Sequence, residues 1–190
     1  MSRDVLLISD ETIKDRTTIH GNIDPKLLYP DLKVAQDMYI QPILGSALYD
    51  KIQTDITNST LTGNYKILVN RYIADALIYY CMAELPTTIS YQFWNKGVVR
   101  KQGENTELPS MGDLIDIANK YKNRAEFYAE RLRLYLKQNA ATLFPEYLNY
   151  GNGVDDIRPS QNAFTMPIWL GDDCDKKTFE EKYQGDRPSC

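Results

Sequence analysis

Apolar residues in the first 144 positions recur at helical rather than alternating spacing. The longest pattern starts at Asn64, where Tyr65, Leu68, Val69, Tyr72, Ile73, Ala76, Tyr80 and Ala83 keep a 3.6-residue period for about five turns. It predicts a helix ended by Pro86, since the residue before a proline is pushed out of the helical region. Leu77, Ile78, Tyr79 and Met82 widen its apolar surface beyond one stripe, as expected of a helix covered on several sides at the centre of a core. A second long pattern, Leu114, Ile117, Ala118, Tyr121, Ala125, Tyr128, Leu132, Tyr135 and Leu136, predicts a helix of more than twenty residues. Ser110 can cap it, with Asp113 reinforcing its positive end, and Phe144-Pro145 closes it. Its opposite face carries Lys120, Arg124, Arg131, Arg133 and Lys137 among Glu126 and Glu130.

Shorter elements surround these two. Asp24-Pro25 is a helix-start signal, an N-cap oxygen followed by a proline whose missing N–H would have been unpaired anyway. Leu28, Leu32, Ala35 and Tyr39 follow at helical spacing, and Pro30 places the main helix from about 31 to 40. Residues 41–46, Gln-Pro-Ile-Leu-Gly-Ser, read as a corner, with Ser46 as the cap of a helix carrying Leu48, Ile52 and Ile56. Residues 87–108 break the helical rhythm. Tyr91, Phe93 and Trp94, then the β-prone Val98 and Val99, then Arg100, Lys101 and a Gly- and Asn-containing turn predict a projecting loop or small β-ribbon.

After Pro145 the pattern changes. Gly151, Gly153, Pro159, Pro167, Gly171, Gly185 and Pro188 punctuate a stretch rich in Asn and Asp. The chain therefore divides into a helical body, 1–144, and an extended C-terminal arm, 145–190. One apolar cluster stands in the arm: Phe164, Met166, Ile168, Trp169 and Leu170, interrupted by Thr165 and Pro167. Such a cluster calls for something to bury it, a partner or the chain's own body. The expected fold class is mainly α, a small bundle of about four helices with the loop or ribbon and the arm.

Charge adds a division of its own. The net charge is −4; the arm holds nine acidic and five basic side chains, which leaves 17 of each in residues 1–144. A neutral body with an acidic arm lacks the basic excess that phosphate neutralisation requires, so sequence-specific DNA binding is not expected. Tyr (14) outnumbers Phe (5), and rings with polar tips suit interfaces as well as the margins of a helical core.

The residues for common catalytic schemes are sparse. His20 is the single histidine, in a polar stretch that reads as a surface loop, and Cys81, Cys174 and Cys190 are an odd, scattered set that frames neither disulfides nor a zinc site. Gly151-Asn152-Gly153 is a turn rather than a phosphate cradle. Asp172, Asp173 and Asp175 lack the Gly and distal Glu of a calcium loop and read as solvated acid. The apolar run 5–8 is too short for a signal segment, and 73–85, broken by Asp75 and Glu84, is too short for a bilayer span. The expectation is a non-enzymatic protein with no catalytic, cofactor or metal residues and no membrane segment.

Four stretches resemble a phage virion family in order along the chain: AQDMYIQPILGSALY (35–49), LTGNYKIL (61–68), WNKGVV (94–99) and YKNRAEFY (121–128). They are similar to the head-tail connector (adaptor, or ring) proteins of tailed phages of Bacteroides-type hosts, including crAss-like phages, over about residues 5–140, with a weaker echo at 164–170. The resemblance implies a helical bundle assembling with itself as a ring, a dodecamer, beneath the portal protein. That ring extends the DNA channel toward further neck or tail rings, and genomic DNA passes without specific binding. It implies synthesis in the host cytoplasm and residence in the virion neck. It also implies that Trp94, Lys96, Val98, Val99, Arg100 and Lys101 form a projecting interface loop, and that Phe164, Met166, Ile168, Trp169 and Leu170 form a docking peptide. A helical binding module or assembly factor absent from the particle is the alternative, and an enzyme of converged carboxylates a third.

Overall fold

The computed structural model describes residues 5–94, 97–100, 110–151 and 156–160. It is mainly helical. An irregular segment holding the buried Leu7 and Ile8 leads into α1 (Asp10–Arg16), where the Ser9 hydroxyl accepts from the Thr12 N–H at 3.3 Å and Asp10 and Glu11 sit at the positive end. α2 (Pro25–Ala35) begins as its sequence signals, with Asp24 Oδ1 accepting from the Lys26 N–H at 3.0 Å. A π-helical turn (Gln36–Ile40) carries it into α3 (Gln41–Leu44). α4 (Ser46–Thr57) follows, then α5 (Gly63–Leu68), a second π turn (Val69–Ile73) and α6 (Ala74–Ser90). Strands β1 (Tyr91–Trp94) and β2 (Gly97–Arg100) pair antiparallel, and α7 (Met111–Leu143) and α8 (Pro145–Leu148) complete the described elements.

Three expectations require correction. The helix does not wait for Asp31; it starts at Pro25 and passes through Pro30. Nor does it stop at Pro86, because α6 runs on to Ser90. A proline removes one N–H and strains one turn, a loss of a few kcal/mol that packing along a whole face can outweigh. Pro30 falls on the exposed side of α2, and beside Pro86 the Thr87 hydroxyl donates to the Glu84 carbonyl at 3.0 Å. The third correction is at the corner. Residues 41–44 are helical, and the bend is made at Gly45, whose φ of 77° and ψ of 160° suit glycine alone. Ser46 lies inside α4 instead of capping it, and its hydroxyl is used elsewhere.

The core centres on α6. Its Tyr80, Glu84 and Thr88 meet α2 and the first π turn, while its Tyr79 and, from the second π turn, Tyr72 meet α7. Leu68, Ile73, Ala76 and Cys81 are fully buried, and of the residues expected to widen the apolar surface Leu77, Ile78 and Met82 are buried while Tyr79 is half-buried. α7 presents Ala125, Ala129, Leu132 and Leu136, all at 0% exposure, so small residues let it lie close against α6. Ser110 and Asp113 form the expected capping box. Ile117, assigned to the buried stripe, is 42% exposed instead.

The boundary at 145 does not coincide with the end of packing. Phe144 and Tyr147 are fully buried, and Tyr65 donates to Glu146 at 2.8 Å. Residues 156–160 are clasped to the Gly45 corner: the Ser46 N–H donates to the Ile157 carbonyl (3.0 Å), the Ile157 N–H to Ser46 Oγ (2.8 Å), and the Ser160 N–H to the Pro42 carbonyl (2.7 Å). Pro159 is buried against Gly45. Through residue 160 the described chain belongs to the body.

Candidate assembly surfaces

α7 is the longest element, 33 residues or about 50 Å. Its inner face is spoken for by α6. On the opposite side stand Phe127, 68% exposed, and Leu134, 51% exposed, seven residues and therefore about 20° apart around the helix. Two large apolar side chains therefore face water on one stripe of α7. Of the basic residues expected on this face, Lys120, Arg124, Arg131 and Lys137 are exposed, whereas Arg133 is half-buried and pairs with Glu130 at 3.3 Å; Arg131 lies over the Tyr72 ring at 5.1 Å, and Arg124 over the Tyr121 ring at 5.7 Å. These arginines serve the tyrosine seam between α6 and α7 as much as solvent.

Six of the tyrosines serve internal seams. Tyr39 stacks on Tyr80 (4.1 Å between centroids), Tyr72 on Tyr135 (3.9 Å) and Tyr79 on Tyr128 (5.2 Å). Each pair joins two helices, so many of these rings occupy the margins of the core. Tyr39 donates to Glu84 at 2.8 Å, and burial, then this bond to a carboxylate, pushes its hydroxyl up to about 12.

A second surface lies on α2. Leu6, Ile8, Tyr29, Pro30 and Val34, with Ser9, Asp10 and Lys33, line an open groove of about 740 Å³ between the N-terminal segment and α2. Met38, 60% exposed, continues the apolar row toward Pro42. The groove's wall is held by Gln36, whose Oε1 accepts from the Leu7 N–H (2.9 Å) and whose amide donates to the Val5 carbonyl (3.0 Å) and Tyr49 Oη (2.6 Å). A buried amide satisfied on both ends fixes an otherwise irregular segment to the first π turn. The sequence pattern did not reveal it, because Gln36 reads as one polar residue among many.

Chemistry elsewhere is modest. Asp31, 8% exposed, accepts from the Thr88 hydroxyl at 3.1 Å, while its Oδ2 is buried without a hydrogen-bond partner among the described residues. Burial raises its pKa, the Thr88 bond opposes this, and nearby Glu84 adds to the rise. Burial, with Asp31 and Glu84 nearby, pushes the Cys81 thiol up to about 12, the opposite of an activated nucleophile. His20 is exposed, and its Nδ1 accepts from the Asn22 N–H at 3.2 Å, as in the expected surface loop.

Trp94 closes β1, and Val98, Val99 and Arg100 lie in β2, with Phe93 opposite Val98 and Gln92 opposite Val99. The backbone of the expected ribbon is therefore formed. Lys96 and Lys101 lie outside the described residues, as do the arm residues Phe164, Met166, Ile168, Trp169 and Leu170 and the acidic Asp172, Asp173 and Asp175. No helix among the described residues is long and apolar enough to cross a membrane.

A family model described as "Family of unknown function (DUF6712)" matches residues 40–157, more than half of the chain. The chain belongs to this family. The matched span opens at the end of the first π turn and closes at Ile157 in the clasp, so it takes in α3 to α8 and the ribbon. Like the packing, it runs on past Pro145. The α2 groove and the arm flank it on either side. No curated protein and no solved structure matches the chain.

Proposed function

We propose that this protein is a structural, non-enzymatic subunit of a phage particle, forming a ring in the neck beneath the portal protein. The observation that carries the assembly role is the outer stripe of α7, where Phe127 and Leu134 face solvent directly opposite the buried seam. Ring closure uses two different surfaces of each copy in a head-to-tail contact. α7 supplies one of these, and the β1–β2 ribbon, formed from residues of the head-tail connector likeness, supplies a projecting element toward the portal or a neighbouring ring. The neutral body suits a conduit through which genomic DNA slides without being held. The address in the particle rests on the four sequence stretches; the surface supports only that the chain assembles.

Mass spectrometry of purified virions tests the address. The subunit is expected in near-stoichiometric ratio to the portal, and its presence only in infected-cell lysate would favour an assembly factor. Phe127→Glu with Leu134→Glu tests the surface. The pair should abolish rings seen by negative-stain microscopy while leaving the helical circular dichroism intact, and rings formed undiminished by the double variant would remove the basis of the reading.

A further inference from the structure

We infer that the α2 groove is the seat of the chain's own C-terminal cluster, residues 164–170. The clasp determines where the arm departs. Ser160 is bonded to the Pro42 carbonyl at 2.7 Å, and Pro42 lies four residues beyond Met38, the first exposed apolar residue on the way to the groove. From Pro42 to Val34 is eight helical residues, about 12 Å along the axis. Residues 161–163 span about 10 Å when extended, and 164–170 a further 23 Å or so, enough to run along Met38, Val34 and Pro30.

The chemistry agrees with the reach. Residues 159–171 contain no charged side chain, and Phe164, Met166, Ile168, Trp169 and Leu170 match the apolar part of the lining, Leu6, Ile8, Tyr29, Pro30 and Val34, beside which stand Ser9, Asp10 and Lys33. Residues 1–4 of the sequence offer less for such a groove, since they carry Arg3 and Asp4 and have no apolar side chain beyond Met1. Tethering also favours the chain's own segment over a neighbour's, since a short linker holds it at an effective concentration in the millimolar range.

Trp94→Phe leaves Trp169 as the sole tryptophan in the full-length chain. In the native monomer its emission should be blue-shifted from the urea-unfolded value and unchanged on tenfold dilution. Adding Val34→Lys, at a 43% exposed position that tolerates the change, should return it toward the unfolded wavelength. A solvent-like emission in the native chain, or a blue shift indifferent to Val34→Lys, overturns the inference. A second arm covers the case in which Trp94→Phe disturbs the fold. Val34→Cys with Phe164→Cys, in a chain with Cys174 and Cys190 changed to Ser, should form an intrachain disulfide on dilute oxidation. A disulfide only between chains would assign the groove to a neighbour's arm, and no disulfide would leave the groove without this occupant; either result sinks the proposal. Both measurements use monomer, so they succeed or fail independently of ring formation.

Discussion

At the level of single residues, two positions act through backbone and charge rather than through apolar area. Gly45 holds a conformation essentially closed to other residues, and a Cβ there would stand 2.7 Å from Pro159 Cγ. Gly45→Ala therefore combines backbone strain with a collision against the clasp, and urea unfolding should show a loss of about 2–4 kcal/mol. Asp31 acts in the other direction. Burial raises its pKa above the ordinary 3.8, so the folded state holds its proton more tightly than the unfolded chain does. Its contribution thus becomes less favourable as pH rises from 3.8 through the raised folded value, and above that it is a constant penalty. Asp31→Asn keeps an oxygen for the Thr88 hydroxyl and removes the charge. Thermal melts should place the variant above the parent at about pH 7, with the gap shrinking as pH falls toward 3.8; a gap that widens in acid would refute this.

At the level of elements, long-range periodicity was readable and local exceptions were not. α6, α7 and the Ser110–Asp113 cap follow directly from spacing, because each helix buries a stripe several turns long. α1 escaped notice because seven residues with one fully buried side chain, Ile13, carry too little period to detect. Pro30 and Pro86 misled because a local rule was set against packing that only the tertiary structure supplies. The two π turns each shift the helical register by a residue, which no apolar pattern announces. The candidate surfaces were incompletely legible: the ribbon residues stood out as a break in rhythm, whereas Phe127 and Leu134 were absorbed into a helix read for its inner face. That inner face yields a sharp expectation. Ala129 is at 0% exposure where α7 lies on α6, so Ala129→Leu must push apart the helices joined by the Tyr72–Tyr135 and Tyr79–Tyr128 stacks. It should cost about 1–3 kcal/mol in denaturant unfolding, and no loss would mean that the seam is looser than these ring distances imply.

At the level of the whole molecule, the question is where the body ends. Composition placed the division at Pro145, because glycine, proline and asparagine accumulate there. Composition reports the lack of regular helix, however, and not the lack of packing. Phe144 packs edge-on against Tyr65 and Tyr135, Tyr147 is buried, and residues 156–160 make three backbone-supported bonds to the Gly45 corner across more than a hundred positions of sequence. A chain cut after Ser160 retains all of these contacts, and a chain cut after Gly151 loses the clasp. Each such bond contributes about 0.5–1.5 kcal/mol net, and 1 kcal/mol moves the midpoint of a domain this size by about 2–4 °C. The shorter chain should therefore melt about 5 °C or more below the one ending at Ser160, with both unfolding in a single cooperative step. Equal midpoints would return the boundary to Pro145 and make the clasp incidental to the body. A lower midpoint for the chain cut at Gly151 would make residues 156–160 the fixed root from which the arm extends toward α2.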